Sequence, residues 1–386
     1  MASCVTSNLA TANLNFSLCL LKHLSKDTEN IFFSPISLST VFGMIFLGSA
    51  GESQKQLEDI FSFGSFNSTE DVHKEMLEIS KLFRGQNNIE LNVANRILAQ
   101  EKYTFLQDFI HSLKNFYEQD PIRVNFASSE KSKIVQDLNK WVEDITKGKI
   151  KNLLKEDAVT ALTRMILVNA VYFKADWAEK FDERATQIMN FMITKDEKVE
   201  TRMMYRSGKY RLGYSSNLNI QVLELPYKNP NFKMLVFLPL PHQQGGLFAL
   251  NELQNKLNID ILSNMRGHFS YTEEKISVFF PKFRLETKLE LEAVLPQLGL
   301  KDVFDEKLAD LSLMTGTKDL FVSSAVHKAF LEVNEEGSEA AAATAAVMSL
   351  RCAAVNPEFR ANRPFLFSIV HSSSGTPLFF GRYVRP

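Results

Sequence analysis

The stretch VNEEGSEAAAATAAVMSLRCAAVN, Val333 to Asn356, decides how the rest of the chain is read. It opens with two acids, Glu335 and Glu336, followed by Gly337, Ser338 and a third acid, Glu339. Next come the seven residues Ala340 to Ala346, six alanines and one threonine, and then Met348-Ser349-Leu350-Arg351-Cys352. Alanine buries too little apolar surface to hold a core strand by itself. A disordered linker is normally richer in proline, serine and charge. Intrinsic propensity alone predicts a short helix, because alanine is the best helix former and Ser338 can cap its start. A large, strand-rich chain thus keeps near its end a segment that does not suit its own core.

The surroundings are those of an ordinary globular protein. The chain has 386 residues, 45% hydrophobic and with 31 phenylalanines, which is ample for a large core. Its 44 basic residues nearly balance 45 acidic ones, so no charge field favours nucleic acid or a membrane surface. No apolar run reaches the roughly 18 residues of a membrane span. Cys4, Cys19 and Cys352 are too few and too scattered for a disulfide framework or a metal site, and they fit a reducing compartment. Cys19 sits in an apolar helical pattern and is expected in the core. The first basic residue is Lys22, so the N-terminus lacks the charged start of a secretory signal. The sequons at Asn15 and Asn67 carry little weight in that setting.

Helical patterns dominate the first third: residues 8–25, 38–48, 54–61, 72–83, 105–117 and 132–146, interrupted by a strand at 91–99. The run Met165 to Trp177, MILVNAVYFKADW, is too continuously apolar for a half-exposed strand and reads as central in a sheet. Further strands are expected at 187–193, 209–212, 220–225, 233–238 and 276–280, with Pro281 marking a bulge or a sheet exit. Helices return at 247–257 and 289–298, and a hairpin closes the chain at 364–370 and 378–383. No linker or charge block divides this order, so the expectation is one α+β domain over residues 1–386.

Catalytic chemistry is not visible. The chain lacks a G-x-S-x-G elbow, an H-E-x-x-H zinc motif, a phosphate-binding loop and a dinucleotide fingerprint. His327 lies in the apolar run Ala325–Val333, where a buried imidazole must find partners. Trp141 and Trp177 stand at core-like positions. His73, Lys74, Lys81 and Arg84 form a weak basic strip that reads either as a polyanion site or as a solvated helix face.

Several segments then form one ordered set. They are Asn30-Ile31-Phe32-Phe33-Ser34-Pro35-Ile36-Ser37, Asn139-Lys140-Trp141-Val142 with Thr146 and Gly148-Lys149-Ile150, and Val168-Asn169-Ala170-Val171-Tyr172-Phe173-Lys174 with Trp177, Phe181 and Thr186. Leu225-Pro226-Tyr227, Pro281-Lys282-Phe283, His327-Lys328, Pro364-Phe365-Leu366-Phe367 and the Glu335–Glu339 acids with their alanine run complete it. With this set the chain resembles the serpins over nearly its whole length, and most closely their intracellular, ovalbumin-like branch. Any one segment is weak; the order is specific.

The resemblance implies helices packed on three β-sheets, one of them large and central, with an exposed reactive-centre loop over about residues 335–356. It implies a trap for a trypsin-like serine protease, which would attack the loop and be held as an acyl-enzyme while the cleaved loop enters the central sheet. Loop insertion of this kind is a known type of switching transition in proteins. Small side chains then acquire a reason, since the segment is first solvated and later buried. As a strand, Ser338, Ala340, Ala342 and Thr344 share one face and Glu339 takes the other. Glu335, Glu336, Gly337, Ser338, Glu339, Ala340, Ala341, Ala342, Ala343 and Thr344 form the hinge of the family pattern, with Gly337 free to change its torsions. Counting Glu335 as the first residue of that pattern, the scissile bond follows the seventeenth and is Arg351–Cys352. An arginine there suits a specificity pocket that carries a carboxylate; a shifted register would present Leu350 or Met348 instead.

Ser34, Ser37, Asn169 and His327 match the family's buried polar cluster beneath the sheet. No cofactor, metal, nucleic acid or membrane is implied. The expectation is a cytoplasmic monomer, with loop–sheet polymers as its route of association and release by a route independent of a signal peptide left open. A non-inhibitory member acting as a carrier, chaperone or storage protein is the other reading, although those members often carry charged or bulky hinge residues that this chain lacks. Two local departures from the pattern occur, at Ala309–Leu313 and at Asn362-Arg363. Cys352 beside the bond is expected to make inhibition sensitive to oxidation. Inhibition rates measured before and after thiol alkylation test this, and unchanged rates would remove it.

Overall fold

The computed structural model describes residues 8–25, 28–337 and 357–386. Hinge residues Ser338, Glu339, Ala340, Ala341, Ala342, Ala343 and Thr344 lie outside the described residues, as do Arg351 and Cys352.

The first third is helical, as its periodicity predicts. Helix α1 spans Asn8–Leu24, strand β1 Ile31–Phe33, α2 Pro35–Gly48, α3 Gly51–Phe61 and α4 Thr69–Phe83. Strand β2 covers Ile89–Gln100, α5 Gln107–Tyr117, β3 Ile122–Val124, α6 Lys131–Ile145 and β4 Met165–Ala175. Strands then dominate: β5 Gln187–Met192, β6 Lys198–Ser215, β7 Ile220–Pro226 and β8 Phe232–Pro239. Three short helices follow, α7 Gly246–Lys256, α8 Ile259–Ser263 and α9 Met265–His268, before β9 Ser270–Pro281 and β10 Phe283–Glu290. The chain ends with α10 Leu291–Leu298, α11 Ser312–Thr315, β11 Ser324–Val333, β12 Glu358–Arg360, β13 Phe365–His371 and β14 Pro377–Tyr383.

Five strands form one sheet, in the order β10-β11-β4-β2-β3. Strand β4 lies at its centre, as its unbroken apolar run predicts, and both faces are covered. On one face Ala94, Leu98, Val168, Tyr172 and Phe330 meet α6; on the other Ile97, Leu167, Phe173, Ala329 and Leu331 join the main core. That alternation is the period of two expected of a strand. Helix α6 is held down by Arg96, whose guanidinium lies 3.6 Å from the Trp141 ring centroid. Trp141 is accordingly half-buried and not a core residue.

The remaining strands run as one hydrogen-bonded array, β1-β14-β13-β8-β7-β6-β9-β12, with β5 on β6. It has two limbs. The first half of β6 pairs with β5 and its last residues, Arg211–Ser215, pair with β7. Both limbs share the long β6–β9 ladder, so two of the three expected sheets meet without a break. Pro281 does mark a sheet exit. Strand β9 ends there, and β10 begins two residues later in the five-stranded sheet. The helix expected from residue 289 starts at Leu291, because all of β10 is taken up by antiparallel pairing with β11.

Trp141 is one core expectation that fails, and Cys19 is the other. Cys19 is exposed. Its helix buries a broad face, and Asn8, Thr11, Asn15, Cys19 and Lys22 form the remaining outer stripe at spacings of three and four. The basic strip on α4 reads as a solvated helix face and not as a polyanion site. His73 is buried against the Tyr117 hydroxyl at 2.6 Å, while Lys74, Lys81 and Arg84 pair with Glu70, Glu78 and Glu118.

An exposed thiol reacts quickly in the folded state. In a thiol-reagent assay without denaturant, Cys19 is expected to be modified at a rate close to that of a free cysteine, and Cys19→Ser to remove that fraction of the signal. Modification of Cys19 only after unfolding would contradict its placement.

Candidate functional site

Two features of the five-stranded sheet meet at the seam between β4 and β11, which are parallel neighbours from Ser324–Ile166 to Leu331–Phe173. One is a polar row beneath the seam. The other is a turn at its upper end.

Register builds the row. Asn95 on β2 pairs with Asn169 on β4, and Asn169 pairs with His327 on β11, so three polar side chains cross three adjacent strands. All are buried, His327 and Asn169 almost completely. Helix α2 completes the cluster from below. Ser34 caps its N-terminus, with Pro35 at the first helical position, where its missing N–H costs nothing.

A backbone N–H can only donate, and this sets every proton in the cluster. Ser34 N–H points at His327 Nε2 at 3.3 Å, so Nε2 is the bare nitrogen and Nδ1 carries the proton. Nδ1–H donates to Asn169 Oδ1, which turns Asn169 Nδ2 toward the Ser37 carbonyl at 3.1 Å, the Ser37 hydroxyl and Asn95 Oδ1. Ser34 Oγ in turn donates to the Leu378 carbonyl at 2.7 Å and accepts from Ser37 N–H at 3.4 Å. A proton added at Nε2 would face the Ser34 N–H. Burial also opposes that charge and pushes the His327 pKa down to about 3. The expected cluster of Ser34, Ser37, Asn169 and His327 is therefore brought together, with Asn95 as a further member.

At the top of the seam the chain reverses. Asn334 N–H donates to the Gly337 carbonyl at 3.0 Å, and Gly337 N–H donates back to the Asn334 carbonyl at 3.2 Å, leaving Glu335 and Glu336 as the turn. Gly337 also bridges Asp176, just beyond β4, in antiparallel fashion. It thus lies between the ends of β11 and β4 and antiparallel to both. Only glycine fits there. Its φ is +127°, and an added Cβ would stand 2.2 Å from the Ala175 carbonyl oxygen and 2.5 Å from Trp177 N.

The two acids of the turn are anchored. Glu335 is buried, receives the Thr186 hydroxyl at 2.8 Å, and pairs with Lys282 at 2.7 Å. Burial works to raise its pKa, but the Lys282 and Thr186 hydrogen bonds outweigh it and hold the carboxyl below the usual range. Glu336 faces Lys180 at 3.5 Å. The carbonyls of Glu335 and Glu336 accept from Phe181 N–H and Trp177 N–H, each at 2.8 Å, and the Trp177 indole N–H donates to the Asn334 carbonyl at 2.9 Å. Trp177 is fixed in turn by stacking on Tyr227, with centroids 4.7 Å apart and planes 4° from parallel.

Of the hinge residues read from the sequence, Glu335, Glu336 and Gly337 are placed in this way. The anchors Lys282, Thr186, Trp177 and Tyr227 all occur in the ordered segments but without an assigned role. Asn95 was missed although it leaves a signal. On one face of β2 positions 89, 91, 93, 97 and 99 are apolar, and Asn95 alone interrupts them.

Comparison with known proteins agrees with this geometry. The family model described as Serpin (serine protease inhibitor) matches residues 11–386. A leukocyte elastase inhibitor of Xenopus tropicalis is 37% identical over 383 residues, covering 98% of this chain and 100% of that protein. Serpin B6 of Macaca fascicularis is 38% identical over 381 residues, covering 98% and 99%. Among solved structures, uncleaved ovalbumin matches with a TM-score of 0.88 at 31% identity, over 98% of this chain and 100% of that one.

A neutral His327 makes stability depend on pH. Unfolded histidine takes a proton near pH 6.5, the folded one only near 3, so stability rises with pH between these values and is lost as pH falls through them. His73, lowered to about 4, and His371, also lowered by burial, act in the same sense. Urea unfolding at pH 7 and pH 5 is expected to show a loss to which His327 contributes about 2 kcal/mol. His327→Ala is expected to reduce the pH slope by that amount, and an unchanged slope would contradict the burial of a neutral ring.

Proposed function

The chain belongs to the serpin family, and from that premise we propose that it inhibits a trypsin-like serine protease as a suicide substrate cleaved at Arg351–Cys352. The placement of Gly337 carries the mechanical part. A strand continuing from Gly337 between β4 and β11 would run antiparallel to both, so its direction at the entrance is already that of insertion.

The chemistry balances with groups of the two proteins. The protease serine hydroxyl adds to the Arg351 carbonyl, the Arg351–Cys352 C–N bond breaks, and the serine proton passes through the protease's base to the new Cys352 amine. Arg351 remains as an ester on the protease. The freed loop then enters the seam as a sixth strand.

Energy favours that movement. One parallel ladder is replaced by two antiparallel ones, which pair slightly better per residue. Each new backbone hydrogen bond adds about 1 kcal/mol net. Alanines contribute little burial, so the ladder dominates. Small side chains are nonetheless essential, because both faces of the sheet at the seam are already packed. The polar row supports the same reading, as its hydrogen bonds add to the apolar packing that closes the β4–β11 seam and can be exchanged when the seam opens.

Relatives named as leukocyte elastase inhibitors favour a second target class. Leu350 or Met348 would then present the bond, one or three residues before Arg351. The trypsin-like reading is preferred here because the hinge count lands on an arginine. Residence in the cytoplasm, a monomeric state and loop–sheet polymers follow from the resemblance to the intracellular branch and belong to the same proposal.

Incubation with trypsin and with neutrophil elastase, followed by denaturing gels and mass spectrometry of the released fragment, tests both targets. A denaturant-stable complex with trypsin and a fragment beginning at Cys352 is expected. Arg351→Ala is expected to slow that reaction at least 100-fold, or about 3 kcal/mol. Cleavage without a stable complex would overturn inhibition and favour the carrier, chaperone or storage reading.

A further inference from the structure

Where the start of β10 passes β6, a cleft of about 380 Å³ opens between β5, β6, residues 282–284 and the last residues of the chain. Its volume lies within the roughly 300–1,000 Å³ typical of small-molecule sites. Four cationic side chains line it, Arg202, Lys282, Arg284 and Arg385, against one acidic side chain, Glu200. Lys282, Arg284 and Arg385 have carboxylate partners in Glu335, Glu286 and Glu197, but none of those three acids lines the cleft. Arg202 is exposed and pairs with no carboxylate among the described residues. The interior of the cleft is therefore electropositive. Ile188, 59% exposed, adds an apolar wall.

The floor supplies a donor. Tyr383 is buried, and its ring is fixed on three sides, stacked on Phe283 with centroids 4.5 Å apart and flanked by Phe365 and Phe191 at 5.3 and 5.5 Å. Those contacts leave the hydroxyl end for the cleft, beside Thr201, which lines it too. Thr201 is near enough to oppose the rise that burial imposes on the Tyr383 pKa, yet among the described residues no group meets the hydroxyl at hydrogen-bond geometry. A buried hydroxyl without a partner is costly. An oxygen brought into the cleft from outside removes that cost, and the four cations favour an oxygen that carries negative charge.

We propose that this cleft binds a small phosphate monoester, its phosphate oxygens taken by Arg202 and the Tyr383 hydroxyl and its organic part resting on Ile188. A phosphate monoester carries about 1.5 to 2 negative charges at pH 7, and guanidinium groups match its oxygens in pairs. The occupant also bears on the turn at Gly337. Lys282 is the ion-pair partner of Glu335, and an anion in the cleft competes with that carboxylate for the same ammonium. Coupling of this kind is reciprocal, so a bound phosphate loosens the anchor of the turn, and a weakened anchor strengthens phosphate binding. Neither half depends on which protease, if any, the chain inhibits.

The test is calorimetric titration of the intact protein with phenyl phosphate in a phosphate-free buffer. Saturable binding of one equivalent is expected, at least fivefold tighter than that of inorganic phosphate. Arg202→Ala, at an exposed position, is expected to weaken it at least tenfold. Tyr383→Phe, which removes only the hydroxyl and keeps the ring contacts, is expected to weaken it at least threefold without lowering the melting temperature. Arg184→Ala, an exposed arginine outside the cleft, is expected to change nothing. No saturable binding overturns the site. So does an affinity unchanged in Tyr383→Phe, since a loosely held surface ion needs the cations alone. Equal affinities for the two phosphates overturn the monoester. Hydrogen exchange of the unaltered protein gives a readout that needs no variant. With phenyl phosphate bound, the amides of residues 200–202 and 283–284 are expected to exchange more slowly, and those of Asn334 and Gly337 at least twofold faster. Protection confined to other segments overturns the site, and unchanged exchange at Asn334 and Gly337 overturns the link to the turn.

Discussion

One parallel pairing, β4 against β11, governs the rest of this structure. Parallel neighbours that follow one another in a sheet need a crossover, and here more than a hundred residues separate Ala175 from Ser324. The pairing leaves a seam whose two sides come from distant parts of the chain. Nothing covalent closes it. What closes it is the backbone ladder, the apolar packing on both faces, and a line of side-chain hydrogen bonds from Ser34 through His327 and Asn169 to Asn95.

That line is unusual for a core. A buried polar network stabilises only when each member is satisfied, and here satisfaction depends on a neutral imidazole of one tautomer. The apolar neighbours Ala329 and Phe173 would hold the strands together under any protonation state, whereas the polar row holds them only in one. Hydrogen bonds are also directional and can be exchanged, which interlocked apolar side chains cannot do without leaving a void. The site therefore combines a tight sheet with a weak line through it, and the turn at Gly337 stands at the upper end of that line.

Much of this was legible in the residues. The apolar continuity of Met165–Ala175 places β4 in the centre, Ser34-Pro35 announces a capped helix start, and the acids before Gly337 mark the turn. Asn95 was harder to see, because asparagine in an alternating strand has no meaning until its register partner is known. Cys19 was misplaced for a related reason. A helix that buries most of its circumference leaves a narrow outer stripe, and the apolar pattern alone does not say which side that stripe faces. Trp141 likewise became a half-buried clamp once Arg96 was found above its ring. The charges of α4 are balanced within the helix by Glu70 and Glu78, and only the partner of Arg84, Glu118 just beyond α5, is distant in sequence.

By itself, the sequence determined the kinds of element, their order, and the buried character of β4 and β11. These are local properties, set by periodicity, capping and side-chain volume. Only the tertiary structure decided that Asn95, Asn169 and His327 share one register row, that the tautomer of His327 is set by the Ser34 N–H, and that Gly337 sits between two strand ends with no room for a Cβ. Those facts depend on strands separated by many residues being brought within a few ångströms. Register and close approach are properties of the pairing, and no single segment of the chain contains them.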